Sequence, residues 1–471
     1  MRFVYHYMTA LLLLISYPFT AIGQIGIGTI TPNPSAIMDM TSQNQGMLTP
    51  RMTTVQRKAI ANPANGLLVF DTDLNSFEYY NGPNTRWERM SSINRDNFVL
   101  VKSQADFPAV AGGTITLDEN SIYEINGTVT LTASINLNGA YIAGLDASED
   151  VLSFPGGTIF KGIGGSIRNV TLTGSKAFEI DGGSMSTGGS FLLQNTAITG
   201  MTTSVGSVTR VALIFTNVVQ FIGNANGITY SNIGNLLLNN QAWLGNNSGT
   251  YEKLTGSFGL VEKVSGFSTI NGSSIGFDIS TPGLSVPVGV LLGTVFSGNG
   301  SYVKRYTTGS YPGYNFTNNW TVSCPGIPAE DDAAATGNLY YTSSSVTTIG
   351  NNPVKLPVST TSVRNFRTSS TVSNRLVYEG SKERSLNIFG SISFTAVAGM
   401  RLIFSIYKNG NPVPGTEVVY NIPQTNDRQG LAVVGTVNSS PGDFIEIYVK
   451  RDSADSAGTQ FLVTSYNLLV N

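Results

Sequence analysis

SIRNVTLTG (166–174), LLQNTAITG (192–200), FTNVVQFIG (215–223) and LLNNQAWLG (237–245) succeed one another in the middle of the chain and share one pattern. Each runs from a few mostly apolar residues to an Asn, then through a short β-prone run to a closing Gly. The closing residues Gly174, Gly200, Gly223 and Gly245 are 26, 23 and 22 residues apart. Weaker copies close at Gly144 (INLNGAYIAG) and Gly276 (INGSSIG). Self-similarity at a period of this size marks a stacked repeat. The units are rich in Val, Ile, Leu, Thr and Phe and too short to hold a helix between turns, so each is a coil of short strands. One coil cannot bury its apolar side alone, whereas stacked coils close a continuous core. Gly supplies positive φ at a corner, and Asn tolerates the left-handed region and can hydrogen-bond the coils above and below. The reading is an all-β chain built on a right-handed parallel β-helix. A β-sandwich whose hairpins happen to repeat is the competing reading.

Composition agrees with an all-β extracellular protein. The 471 residues suffice for two or three domains, only 12% are charged, and 52 are Gly, a balance that suits turns and sheets rather than coiled coils. A formal net charge of −2 without a basic cluster gives no electrostatic footprint for nucleic acid. At the N-terminus, MRFVYHYM, the apolar ALLLLISYPF and the small-residue TAIG read as a signal peptide, residues 1–23, cleaved after Gly23. The apolar run is too short to span about 30 Å of hydrocarbon, so an uncleaved anchor is disfavoured. No transmembrane segment is expected further on.

That cleavage would remove His6, the only histidine, so triad and His-ligated zinc chemistry are excluded from the mature chain. Cys324 is the only cysteine, which rules out an intrachain disulfide and a thiolate metal cluster. It reads as a buried thiol, with an intersubunit bridge as the alternative. Neither a cofactor nor a resident metal is expected.

Residues 24–96 form a distinct module. GIGT (26–29), the run Ser35 to Met40, TPRMTTVQR (49–57), GLLVFDTD and FEYYNG resemble a module at the start of secreted surface and tail-fibre-like proteins of Gram-negative bacteria and their phages. The resemblance implies attachment or assembly at the base of a fibre and carries no catalytic residue. From the residues themselves, Thr53 or Thr54 caps a short helix that ends near Asn62-Pro63. LLVFDTD and SFEYY form a hairpin about Leu74-Asn75. Asp71 and Asp73 are weighed as calcium ligands against the plainer reading of turn-capping carboxylates.

Residues 97–323 are assigned to the helical shaft. TITL, IYEI, TVTL and SINL open it, and at about 24 residues per turn residues 114–280 make roughly seven turns, a rod of about 35 Å. These opening coils resemble tail-spike and pectate-lyase-like β-helices. Past Gly283 the strands continue without the pattern. Because β-helices carry saccharide-cleaving sites, the DASED corner (146–150) and the pair Glu179 and Asp181 are weighed as catalytic carboxylates, with Lys161, Arg168 and Lys176 as lyase partners. Solvated corners are the plainer reading. Tyr302, Tyr306, Tyr311, Tyr314 and Trp320, the densest aromatic stretch, are the candidate glycan-binding residues, since exposed rings stack on sugar faces.

Residues 324–337, CPGIPAEDDAAATG, read as a linker. Residues 338–471 hold eight alternating segments, with KNGNPVPG as a hairpin turn, and read as an antiparallel jelly-roll β-sandwich. SISFTAVAGMRLIFSIYKNG and SYNLLV resemble the trimeric heads of tumour-necrosis-factor and complement C1q type found at phage fibre tips. That resemblance implies a homotrimer with aromatic residues on the axis, for which Tyr448, Tyr466 and Phe461 are the candidates. Signal, base module, shaft and head together describe an extracellular fibre or spike on a cell or virion. Its expected role is non-enzymatic adhesion to a cell-surface glycan or protein receptor. The alternative is a polysaccharide lyase or glycoside hydrolase working on the shaft; a purely structural matrix protein is a third.

Overall fold

In a computed structural model of the chain, Met8 and residues 23–90, 97–452 and 459–471 are described. The expected signal peptide therefore lies outside the described residues, apart from Met8 and Gly23. Among the described residues no helix is long and apolar enough to cross a membrane. The chain divides into two compact units, Met1–Arg95 and Asp96–Asn471.

In the first unit, Ile25–Ile27 pairs in parallel with Met38–Met40, and Arg51–Met52 pairs in parallel with Leu68–Asp71. The hairpin Leu68–Asp71 to Ser76–Asn81 turns through Asn75, whose φ of 49° is the left-handed value that the tight turn requires. Thr53 caps the helix Thr54–Lys58, and Gln56 completes a reciprocal capping box. The unit is organised around Asp71. Its carboxylate accepts from Arg57 Nε at 2.8 Å, from Thr54 Oγ1 and from the backbone of Asp73 and Leu74. Burial pushes Asp71 up, but these donors outweigh it and hold the carboxyl at about 2.

The second unit opens with a parallel β-solenoid of about nine turns. Its register defines three sheets, one per side of each turn. Along the first sheet Phe98, Ile122, Tyr141, Ser166, Leu192, Phe215, Leu237, Glu262, Val290 and Thr321 stand in one file. Successive members are 24, 19, 25, 26, 23, 22, 25, 28 and 31 residues apart. The second sheet stacks Ile115, Ile135, Phe160, Phe178, Gly206, Ile228, Glu252, Phe277 and Val303. The third stacks Val129, Leu152, Leu172, Ile198, Phe221, Trp243, Ser268 and Phe296. At about 4.8 Å per strand spacing, the nine steps from Phe98 to Thr321 make a rod of about 43 Å; the seven-turn expectation covered residues 114–280 alone. The pairing begins at Phe98 and persists through Thr321, although the sequence pattern fades after Gly283 because the last two turns carry longer corners.

The repeat motif spans the corner between the first and third sheets. Asn169, Asn195 and Asn240 occupy that corner at φ 53°, 45° and 49°, and in the FTNVVQFIG copy Val218 takes the same place at φ 56°. The closing glycines follow the third sheet. Gly174, Gly200 and Gly223 have positive φ there; Gly245 does not. The hydrogen-bonded Asn ladder lies just beyond them. Asn224, 1% exposed, donates to Ile198 O at 2.9 Å, and Asn247 donates to Phe221 O at 2.7 Å. Each of these amides also accepts a backbone N–H from the turn before, Met201 to Asn224 and Asn224 to Asn247. The weaker copies are out of phase with the main four. Gly144 follows a first-sheet strand and stands beside Asn169, and Gly276 lies within the second sheet.

The C-terminal part is a sandwich of two antiparallel sheets around a separate core. One sheet runs Ser359–Phe366, Thr336–Ser343, Gln460–Val470, Arg384–Ala396, Gln429–Ser439. The other runs Thr368–Ser369, Leu376–Tyr378, Phe444–Arg451, Arg401–Lys408, Asn411–Pro412. The KNGN turn has Asn409 and Gly410 at φ 52° and 78°, the pair of left-handed values that a two-residue hairpin demands. Phe461 and Tyr466, expected on a trimer axis, are instead 1% and 2% exposed inside one subunit's core. Tyr448 stacks on Tyr407 at 3.9 Å. The presumed linker 324–337 is folded. Cys324 is buried in the solenoid core, Glu330 bridges back to Val322, and Thr336 already belongs to the sandwich.

Candidate functional site

Three clusters of ionisable and aromatic residues could carry function, and the fold assigns each a distinct environment. On the outer surface of the second solenoid sheet, adjacent strands bring Lys161 opposite Glu179. Glu179 is held by Lys176 at 2.6 Å and Lys161 at 3.1 Å, and Asp181 accepts two hydrogen bonds from the Arg210 guanidinium of the next turn. Partial burial raises Glu179, but the two lysines bring it below the usual Glu range; Arg210 does the same for Asp181. A glycosidase needs one carboxyl kept protonated by a raised pKa. Both carboxylates of this cluster are pushed the other way. Arg168, the third presumed lyase partner, sits over the Tyr141 ring at 4.8 Å.

The DASED corner is a structural loop. Asp150, 5% exposed, accepts from the backbone of Gly127, Leu145 and Asp146 at 2.9, 2.7 and 3.0 Å, while Asp146 accepts from Ser148 N at 2.8 Å. In the first unit Asp71 is spent on Arg57, and Asp73 accepts from Thr54 N at 2.9 Å, which caps the helix start. Among the described residues no group of three or more His, Cys, Asp or Glu is arranged to hold a metal ion.

The aromatic stretch lies between solenoid and sandwich. Trp320 is fully buried and Tyr306 is 6% exposed, and the indole Nε1 donates to the Tyr306 hydroxyl at 3.0 Å. Burial pushes that hydroxyl to about 12. Neither ring offers a face on which a sugar could stack. Tyr314 lies flat on Phe366 of the sandwich at 3.9 Å, and Tyr311 meets the same ring edge-on and donates to Glu379 at 2.8 Å. Tyr302 is half-buried and donates to Gly298 O.

Arg367 completes this joint. Its guanidinium is buried, donating to Trp320 O and to the Asp332 carboxylate. Asp332 also accepts from Ser381 and Lys382. Glu330, 1% exposed, accepts from the backbone of Asn315 and Phe316 at 2.8 Å each. Burial raises Glu330 despite those donors. Arg367 was not singled out from the sequence, where FRTSS carries no pattern.

A third cluster is inside the solenoid. Lys263 interrupts the aliphatic file Leu238, Lys263, Leu291, Val322, and Glu252 interrupts the second-sheet file between Ile228 and Phe277. The two side chains are 1% and 0% exposed and meet at 3.0 Å. Lys263 also donates to Gln241 Oε1 at 2.9 Å; Gln241 accepts from Tyr251 and donates to Thr216. Glu252 is raised by burial, against the pull of Lys263. Both side chains are out of solvent, so this pair is not placed to meet a substrate on the solenoid surface.

Residues 26–105 match a family model described as a phage tail like trimerisation region. No match to a curated protein is found. Solved structures with a likeness include murine APRIL, 13% identical over 28% of this chain and 98% of that one, with a TM-score of 0.20. The enzymatically active domain of tailspike protein 4 of bacteriophage CBA120 is 10% identical, over 90% of this chain and 77% of that one, at 0.19. The tailspike of phiAB6 was solved with oligosaccharides of the Acinetobacter baumannii surface polysaccharide. It is 11% identical over 91% of this chain and 100% of that one, also at 0.19. At TM-scores this low none of these likenesses bears on any residue of this chain.

Proposed function

We propose that the chain is a trimeric tail-spike or tail-fibre-like protein, displayed on a virion or cell surface, that adheres to a surface glycan or protein receptor without cleaving it. The observation that carries this reading is the trimerisation-region match at residues 26–105, which runs into the first strand of the nine-turn solenoid. The first unit adds support. Its Ile30, Ile37, Leu48 and Val55 are 99%, 81%, 75% and 76% exposed, large apolar side chains that partner chains would cover in a trimer. The sandwich is read as a jelly-roll head carried at the end of the shaft. Export through the N-terminal signal is part of the same proposal.

The non-enzymatic half rests on Glu179 and Asp181, which are engaged by Lys161, Lys176 and Arg210. A depolymerase reading retains one favourable observation: Glu179 and Asp181 are two carboxylates on the outer face of one strand, where a bound polymer could reach them. Incubation of the purified protein with capsular polysaccharides separates the two. Saturable binding without new reducing ends or unsaturated uronate absorbance is expected. Product release that is abolished by Glu179→Gln would establish the enzyme instead.

A further inference from the structure

We propose that the Lys263 amine and the Gln241 carboxamide join in an intramolecular amide bond inside the solenoid, with release of ammonia. Pairing of neighbouring turns sets Leu238 beside Lys263 and Gln241 beside Gly266, so the two side chains enter one core from successive rungs. Lys263 Nζ stands 2.9 Å from Gln241 Oε1. A carbonyl bond is about 1.23 Å long, which leaves the amide carbon within about 4.1 Å of the amine. The ammonium has donors only, so the amide must turn its oxygen toward it. Thr216, which accepts from Gln241 Nε2 at 2.9 Å, holds the same orientation from the other side.

The groups around this contact supply the rest of an acyl-transfer site. Glu252 Oε1 and Oε2 lie 3.1 and 3.0 Å from Nζ, where a proton acceptor is needed. Tyr251 donates to the reacting oxygen, Gln241 Oε1, at 3.0 Å. Burial pushes the Tyr251 hydroxyl up, so it stays a donor as negative charge gathers on that oxygen. Lys263, Glu252, Tyr251, Gln241 and Thr216 are all buried. Exclusion of water and fixed approach replace the random encounters that make an amine and an amide inert toward each other in solution.

The step balances without a co-reactant. Nζ gives one proton to Glu252 and attacks Cδ of Gln241, and the displaced electron pair rests on Oε1. In the adduct Nζ and Nε2 share one carbon, and a second proton passes between them. The Cδ–Nε2 bond then breaks and ammonia departs, while the new amide keeps the third Nζ proton. Glu252 ends as a neutral carboxyl, the form its burial favours. The reaction thus replaces two buried charges by neutral groups, which removes their desolvation cost. Escape of ammonia makes it one-way. The ion pair is the reactant state, from which the bond accumulates with time. The product locks successive rungs together across 22 residues of chain.

Full-length protein, aged at neutral pH, then denatured and cut with trypsin, tests this. We expect a branched peptide joining residues 211–253 to 254–304, lighter by one ammonia and uncut at Lys263, whose share rises with age. Fragmentation that places the bond between Gln241 and Lys263 separates it from ammonia lost elsewhere in the chain. Folded Glu252→Gln should yield no branched peptide, and Tyr251→Phe should form it about 100-fold more slowly. Only linear peptides from the aged parent, or a bond to Glu252 with loss of water, overturn the proposal. That result comes from the parent alone, so it stands even if a variant does not fold. An unchanged rate in folded Glu252→Gln overturns the proton transfer assigned to Glu252.

Discussion

Lys263→Met isolates what one ammonium does inside the solenoid. In the native chain its Nζ lies 3.0 Å from Glu252 Oε2, with both side chains essentially out of solvent. Methionine keeps the length and the packing between Leu238 and Leu291 but leaves Glu252 without a counter-charge. Breaking a buried pair from one side costs about 3–5 kcal/mol. For a domain of the solenoid's size each kcal/mol moves the transition by roughly 2–4 °C, so a drop on the order of 10 °C is expected at neutral pH. The loss must depend on pH. Glu252 is already raised above the ordinary Glu value of 4.5 by burial, and removing Lys263 removes the influence that opposed the rise. A carboxyl whose folded pKa lies above its unfolded one stabilises fully below the unfolded value, and that stability is lost as pH rises through the folded value. The deficit of the variant should therefore be small near pH 4 and grow as pH rises toward neutrality. Glu252→Leu/Lys263→Met should recover most of the loss, since Gln241 keeps Thr216 and Tyr251 as partners. Thermal melts followed by far-ultraviolet circular dichroism and by Trp243, stacked 4.3 Å from Tyr251, report the solenoid. A single variant that melts with the parent at every pH, or a double variant weaker than the single, would refute the reasoning.

Asn195→Val, at an exposed corner with φ 45°, should cost about 1–2 kcal/mol, because a β-branched residue resists the left-handed region; denaturant melts read the difference. Asn247→Ala removes the acceptor of Asn224 N and a donor to Phe221 O, and should cost about 1–3 kcal/mol in the same assay. Arg367→Ala leaves Asp332 and Trp320 O without their buried donor; limited proteolysis should then cut between residues 324 and 336 faster than in the parent. Acid should melt the first unit late. Asp71 is held at about 2, so its contribution is complete above the ordinary Asp value of 3.8 and vanishes as pH falls through about 2, which Trp87 fluorescence can follow.

Much of the solenoid was legible because its physics is periodic. Asn169, Asn195 and Asn240 recur where the backbone must turn left-handed, and a residue type tied to a φ value leaves a countable trace. The trace fails where the demand is met otherwise. Val218 takes the same corner without the favoured side chain, and the turns after Gly283 lengthen their corners until no period remains. The strand Ser359–Phe366 went unread because STTSVRNF alternates weakly and ends on the left-handed Arg364 and Arg367. The aromatic stretch was visible as composition, but composition does not distinguish a ring stacked on a sugar from one stacked on Phe366. Glu179 and Asp181 were placed at the surface, whereas their partners Lys161 and Arg210 come from neighbouring turns that only the pairing brings alongside. Arg367 and the pair Glu252–Lys263 left no signal. Isolated charges in polar-looking surroundings carry no mark of burial until the register is known.

The uneven steps of the first solenoid file, from 19 residues between Ile122 and Tyr141 to 31 between Val290 and Thr321, have a mechanical corollary. Height gained per circuit is one interstrand distance whatever the circumference, so added residues bulge outward and the axis does not stretch. Corners can thus acquire or shed whole peptides, and with them whatever the flank displays to its surroundings, while the distance spanned stays constant.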